Sequence, residues 1–229
     1  ELLVRIEAAE RDATRDVVSA HGSERLSPEE KIRLFRSLFS GREDVFPRRF
    51  ESRKSGRSGY QPACRNEWRA GICLKPKVKC AKCGHREFIR VSDELVRCHL
   101  SGKDGQGKPF VMGVYPLRED ETCSFLAVDF DKADWQADAA AFLDASDALE
   151  IPAYLERSRS GNGGHVWFFF GEPVPARLAR KLGSLVLTKA MNERPELGFD
   201  SYDRLFPNQD RMPSGGVGKG SLLALGVSG

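Results

Sequence analysis

The chain has 229 residues, of which 40% are hydrophobic and 30% are charged. This length suits one large domain or two small ones, and the apolar fraction is enough to build a globular core. No apolar run approaches the roughly 20 residues of a membrane-spanning helix, and no secretory signal pattern is present, so we expect a cytoplasmic protein without a membrane partner. The chain begins without Met and ends soon after a new apolar run, so we expect further domains of a longer polypeptide.

Charge is distributed unevenly along the chain. Residues 53–108 contain 14 Lys and Arg against 5 Asp and Glu, whereas residues 109–229 contain 12 against 17. A basic segment attracts phosphate backbones, although a run of charge is also typical of a plain solvated surface. We expect three parts: a helical segment over residues 1–50, a basic module over 51–108 and an acidic core over 109–229.

The segment that precedes the basic module has helical signals. Apolar residues at positions 2, 3, 6 and 9 fall on one helix face. Ser27-Pro28-Glu29-Glu30 is a helix start with Ser27 as N-cap, and Gly41 is the predicted end of that helix. Residues 51–63 are rich in Ser, Gly, Arg and Lys, which predicts a mobile basic loop, and residues 64–110 predict several short strands.

Five of the six cysteines lie between Cys64 and Cys98. Without an export signal, this clustering favours metal binding over disulfides, and reduced core cysteines are the alternative. Four thiolates with a tight knuckle followed by glycine are typical of a structural zinc site, which would fold a segment poor in large apolar residues. The predicted ligands are Cys64, Cys73, Cys80 and Cys83, and the residues that could replace one of them are His85, Cys98 and His99.

From residue 110 the pattern alternates between apolar strands and amphipathic helices. A strand over 110–115 is followed by predicted strands over 124–129, 152–156, 165–170 and 221–225. Predicted helices cover 133–149 and 175–192. From residue 124 this order is β-α-β-β-α-β, the split βαβ unit of ferredoxin-like and RNA-recognition-like domains, so the predicted fold class is α+β.

Two carboxylates, Asp129 and Asp131, end the apolar run of residues 124–128. Side chains two residues apart on a strand point to the same face. Two adjacent carboxylates repel each other unless a cation lies between them, and hard cations such as Mg²⁺ or Mn²⁺ prefer oxygen ligands. The pair therefore predicts a divalent metal site, and a solvated strand end is the alternative.

A glycine-rich turn, residues 158–164, joins two predicted strands and is followed by His165. Glycine permits positive φ and a close backbone approach to a ligand. Exposed backbone N–H groups, Ser160 and His165 therefore form a candidate phosphate cradle. A plain hairpin turn with a structural histidine is the alternative, but an Asp-x-Asp strand in the same small sheet favours the binding role.

These motifs together resemble those of the archaeo-eukaryotic primases. Asp-x-Asp on one strand, Ser-Gly-x-Gly-x-His before a neighbouring strand, and a later Asp match the three motifs of that superfamily. Within it, the chain is most similar to the primase-polymerase domains of bacterial conflict and CRISPR-associated systems. There, as here, a cysteine cluster, a His-Leu-x-Gly segment (residues 99–102), a Gly-Val-Tyr-Pro-Leu-like strand (113–117) and an Asp-Phe-Asp strand follow in order. The resemblance covers roughly residues 60–225 and leaves residues 1–50 outside.

The resemblance implies an RNA-recognition-like catalytic sheet with a zinc-binding module and N-terminal helices. It implies a template-directed nucleotidyltransferase, a DNA primase and DNA polymerase, whose partners are a DNA or RNA template and primer and nucleoside triphosphates. The implied ligands of two Mg²⁺ or Mn²⁺ ions are Asp129, Asp131 and Asp203. The implied nucleotide contacts are Ser160, Gly161, Gly163, His165, Arg211 and Lys219. We prefer Asp203 over Asp200 and Asp210 because a basic, polar stretch follows it, as in the family.

Three other functions fit parts of the pattern. Acid clusters also serve metal-dependent nucleases, and Asp-x-Asp occurs in glycosyl transfer from nucleotide sugars, although the basic zinc module argues against the latter. A non-catalytic, zinc-containing nucleic-acid-binding domain is the alternative outside enzymes. Against it stands the acidic sheet face, which would repel nucleic acid without a metal. RNA-recognition sheets instead offer aromatic stacking platforms.

Overall fold

The computed structural model describes residues 26–52, 56–158, 161–197, 204–212 and 223–224. The helices are α1 (Pro28–Leu38), α2 (Asp93–Ser101), α3 (Trp135–Asp147) and α4 (Ala176–Glu193). The strands are β1 (Pro47–Glu51), β2 (Ser58–Pro62), β3 (Gly113–Val114), β4 (Thr122–Phe130), β5 (Tyr154–Arg157), β6 (Gly164–Pro175), β7 (Arg204–Phe206) and β8 (Leu223–Ala224). The expected α+β class is confirmed. Within the described ranges, no helix is both long and apolar enough to cross a membrane.

A four-stranded antiparallel sheet with the order β5-β6-β4-β7 forms the centre of the acidic half. Its central strand, β4, is buried along most of its nine residues. Side chains alternate between the two faces, so that Leu126, Val128 and Phe130 join one core and Phe125 and Ala127 join another. Both faces of the sheet are therefore covered along most of β4.

The helices α3 and α4 cover one face of this sheet. The alanines of α3 and Gly183 of α4 are small enough for close packing. A Cβ atom on Gly183 would lie 3.0 Å from side-chain atoms of Leu126 and Leu205. The predicted helices over 133–149 and 175–192, and the predicted strands over 152–156 and 165–170, lie close to the observed elements.

The end of α1 covers part of the other face. Phe39 presents its ring edge-on to Trp167 and Phe169, with ring centroids 4.9 and 5.5 Å apart. The predicted start of α1 is observed, because Ser27 and Glu30 form a capping box. The predicted end at Gly41 is wrong. The helix ends at Leu38, and Gly41 instead lies against the carbonyl of Tyr115, where a Cβ atom would clash.

A second core joins α1, α2 and the strand pair of the basic module. Its large members are Ile32, Phe46, Val96, Phe110 and Met112. The mobile loop predicted over 51–63 is wrong for Ser58–Pro62, which pairs with Pro47–Glu51 and packs Gly59 under the ring of Phe50. This pair crosses the predicted boundary between residues 50 and 51, and the domain limits stay predictions.

The last strand of the sheet differs from its prediction. The strand predicted over 221–225 was expected to form the last strand of the four-stranded sheet. That edge position, beside β4, is instead occupied by Arg204–Phe206. Leu223–Ala224 instead pairs with Gly113–Val114. Three residues are too few to show an alternating pattern, so β7 gave no periodic signal.

Candidate active site

Three ionisable side chains form a row across three adjacent strands. Asp129 on β4 lies directly opposite His165 on β6, which lies directly opposite Glu156 on β5. Residues paired in this way project to the same face of a sheet. The Nε2 atom of His165 is 3.5 Å from Oδ1 of Asp129, and its Nδ1 atom is 3.4 Å from Oε2 of Glu156. We call these three residues the carboxylate–histidine row.

The position of Glu156 is fixed by a buried tryptophan. The indole Nε1–H of Trp167 donates to Oε2 of Glu156 at 3.0 Å, and this oxygen also faces the imidazole. Trp167 lies two residues after His165, on the same face, and is 2% exposed. Sequence reasoning missed both residues. The available signal was the register of the hairpin, which places Glu156 opposite the predicted phosphate-binding histidine.

Asp131 lies one residue beyond the end of β4. Phe130 packs against Phe142 on the helix-covered face, so the alternation of the strand places Asp129 on the opposite face. The Asp131 side chain is 48% exposed, and its Oδ1 atom is 3.3 Å from Nζ of Lys132. Of the two predicted metal-binding carboxylates, Asp129 is therefore held in place by strand pairing, whereas Asp131 follows the end of the strand.

The glycine turn packs against the end of β4. A Cβ atom on Gly163 would lie 2.6 Å from the carbonyl oxygen of Phe130 and 3.3 Å from Cα of Asp131. Gly161 has φ 78°, in the left-handed region that favours glycine. Its carbonyl accepts hydrogen bonds of 3.1 and 3.0 Å from the guanidinium of Arg157. The turn is thus anchored beside Asp131, and Ser160 lies outside the described residues.

The later predicted residues are only partly described. Oδ1 of Asp210 is 3.0 Å from Nε of Arg180, and Arg211 is exposed. Asp200, Asp203 and Lys219 lie outside the described residues. Arg204, which follows Asp203 in the sequence, pairs through its backbone with Asp129. The roles predicted for these residues stay predictions.

The four predicted zinc ligands line one small cavity of about 20 Å³, together with His85. The Cys83 N–H donates to the Cys80 carbonyl at 3.2 Å, and the Glu87 N–H donates to Sγ of Cys64 at 3.4 Å. The alternative ligands Cys98 and His99 lie elsewhere, buried on α2. We call this space, lined by Cys64, Cys73, Cys80, Cys83 and His85, the cysteine cavity.

A cationic side chain borders the cysteine cavity. Nζ of Lys75 donates to carboxylate and amide oxygens of Glu67 and Gln61, each at 2.8 Å. Burial alone would lower the pKa of Lys75, but Glu67 and the sulfur of Cys80 raise it overall. Lys75 therefore keeps its positive charge at the edge of the cysteine cavity.

Both donor sets suit the metals that the sequence predicts. Four thiols match the preference of Zn²⁺ for sulfur, and two carboxylates match the preference of Mg²⁺ or Mn²⁺ for oxygen. Among the described residues, no group of three or more His, Cys, Asp or Glu side chains stands in an arrangement that could hold an ion. Both metal sites therefore remain predictions that rest on the chemistry of the donors.

Comparison with protein families identifies the class. The profile of the archaeo-eukaryotic primase domain of TOTE conflict systems matches residues 30–228. The chain therefore belongs to this family, which confirms the resemblance found in its motifs. The match begins well before residue 60. The expectation that residues 1–50 lie outside the family domain is therefore wrong from residue 30 onward. No curated protein matches the chain.

Proposed function

We propose that this domain is a template-directed nucleotidyltransferase that synthesises primers or extends DNA from nucleoside triphosphates. One observation carries the proposal: Asp129 lies directly opposite His165, and the glycine turn packs against Asp131. The strand order, with both long helices on one face of the sheet, supports the RNA-recognition-like assignment of the fold.

The phosphates of the nucleotide bind at the glycine turn. Backbone N–H groups near Gly161 and Gly163, with Ser160 and His165, cradle them, and Arg211 and Lys219 add positive charge. Because Nδ1 of His165 faces Glu156, its Nε2 is directed along the sheet toward Asp129. The imidazole is thereby oriented toward the place where the reacting phosphate lies.

The carboxylates of Asp129, Asp131 and Asp203 would hold two divalent ions. When bound, such ions lower the pKa of a primer 3′-hydroxyl and neutralise charge on the departing pyrophosphate. Asp203 is favoured as the third ligand because the backbone of the next residue, Arg204, pairs with that of Asp129. The Asp210 carboxylate, in contrast, already contacts the Arg180 side chain. The protein contributes mainly alignment, which lowers the barrier without covalent chemistry.

The basic module binds the template or the initiating nucleotide. Its cysteines would hold a structural Zn²⁺, which would stabilise a segment with few large apolar residues. The arginines and lysines around it contact phosphates, so binding of the template weakens as salt increases.

Incorporation assays on the unmodified domain test this function. The assay contains a labelled primed template, Mn²⁺ and either ribonucleoside or deoxyribonucleoside triphosphates, with a parallel reaction that lacks the primer. We expect extension that requires both template and triphosphates. Degradation of the template without triphosphates would indicate a nuclease instead. Template binding without either reaction would indicate a non-catalytic nucleic-acid-binding domain.

A further inference from the structure

A cavity of about 580 Å³ adjoins the carboxylate–histidine row on the sheet face opposite α3 and α4. This volume lies within the range of small-molecule sites, roughly 300–1,000 Å³. Its lining includes six aromatic residues, and the row shares Glu156 with it. Phe168 and Phe170 pack with the core on the helix-covered face. We call it the aromatic cavity, and its rings on the face of the row are those of Phe39, Tyr154, Trp167 and Phe169.

The aromatic rings of the cavity pack against one another. The planes of Trp167 and Phe169 are within 5° of parallel, with centroids 5.9 Å apart, and Phe39 meets both rings edge-on. Tyr154 lies 6.0 Å from Phe169 and is 57% exposed. The cavity thus combines a well-packed aromatic wall with an open side at the sheet edge.

The position of this wall matches the dimensions of a nucleotide. Trp167 and Phe169 follow His165 on the same face of β6, and two residues of a strand span about 6.6–6.8 Å. Trp167 itself is buried, so a nucleotide whose phosphates lie at His165 can place its base against the more accessible rings of Tyr154 and Phe169. The lining includes no Lys or Arg, and its polar side chains are Ser37, Ser124 and Glu156. It suits a neutral aromatic base and not a phosphate.

We propose that the aromatic cavity binds the base of the nucleoside triphosphate whose phosphates are held at His165 and the glycine turn. This inference rests on the proposed function and specifies its substrate site. Every base has a π-face, so stacking on aromatic side chains tolerates all four bases. The cavity therefore distinguishes nucleotides from other polyphosphates without selecting one base.

Equilibrium binding of two probes, ATP and inorganic tripolyphosphate, tests the proposal in the presence of Mn²⁺. We expect Phe169→Ala and Tyr154→Ala each to weaken ATP binding about fivefold or more, as stacking energies predict, and to leave tripolyphosphate binding unchanged. His165→Ala should weaken both probes. The control is Leu185→Ala, an exposed position on α4 across the sheet, which should change neither.

Several results would overturn the proposal. It would be overturned if the unmodified domain bound ATP no more tightly than tripolyphosphate, or if both cavity variants bound ATP normally. Equal weakening of both probes in Tyr154→Ala, which truncates a largely exposed side chain, would also contradict it. If ATP is preferred and the variants behave as expected but no extension occurs, the base site stands and the polymerase function fails.

Discussion

At the scale of single residues, Glu156 is the side chain whose role is most testable. Its carboxylate meets both the Trp167 indole N–H and the His165 ring, so we expect it to orient the imidazole. Glu156→Ala should lower kcat for primer extension roughly tenfold or more, because a hydrogen bond to a charged group contributes about 1.5–3 kcal/mol. Glu156→Gln keeps an oxygen acceptor and should restore part of the loss.

Steady-state kinetics and thermal unfolding together check this role. A merely structural contribution would lower the melting temperature of Glu156→Ala and leave kcat for the folded fraction unchanged. Full kcat in the alanine variant would contradict the orienting role, and so would a glutamine variant as impaired as the alanine variant.

The site residues that the sequence predicted are those whose side-chain type itself indicates metal or phosphate binding. Asp129 follows an apolar run, and His165 follows a glycine-rich turn, so residue type and spacing were enough to select both. Glu156 and Trp167 were not identified from the sequence because their roles depend on the cross-strand register, which determines which side chains are in contact. Trp167 in an aromatic strand also has the pattern of an ordinary core residue.

At the scale of elements, we expect the packing of the glycine turn against the end of β4 to position the candidate site. Gly163→Ala would place a Cβ atom 2.6 Å from the Phe130 carbonyl, so the turn or the end of β4 must shift. We expect at least a tenfold loss of extension rate and a lower urea midpoint. Gly105→Ala is the matched control, because a Cβ atom there meets nothing within 4 Å. Normal activity in Gly163→Ala would show that the turn need not pack against Asp131.

The cysteine cavity gives a second prediction at this scale. The purified domain should contain about one zinc per chain, measured by atomic absorption. Cys83→Ser should lose the metal and melt at a lower temperature, because ligand binding stabilises the folded module. Cys98→Ala removes a cysteine that lies on α2, outside the cavity, and should keep its zinc. Equal zinc loss in both variants would contradict this ligand assignment.

Elements with a long periodic pattern could be predicted, whereas short or contact-dependent elements could not. The helices α3 and α4 lie near their predicted positions because each repeats its pattern over its length, and β6 lies near its own because it contains a continuous apolar run. The strand β2 has the composition of a loop and forms through pairing with β1. The helix α2 was missed although Ser92 caps it.

At the scale of the whole molecule, the segment around the end of α1 packs on the acidic sheet. Phe39 packs its ring edge-on against Trp167, and the backbone N–H of Arg42 donates to the Tyr115 carbonyl at 2.9 Å. The uneven charge and the α+β class could be predicted from the sequence. The packing of α1 on the sheet could not, because it joins residues far apart in the sequence, such as Phe39 and Trp167, without a shared local pattern.

We expect nucleotide transfer to depend on the carboxylates at the end of β4. The most direct measurement is Mn²⁺-dependent extension of a labelled primed template by Asp129→Ala/Asp131→Ala, beside Asp144→Ala, an exposed carboxylate on α3. We predict that the double variant loses extension while it keeps the melting behaviour of a folded domain, and that Asp144→Ala extends normally. Extension by the double variant at the unmodified rate would show that the reaction does not need these carboxylates.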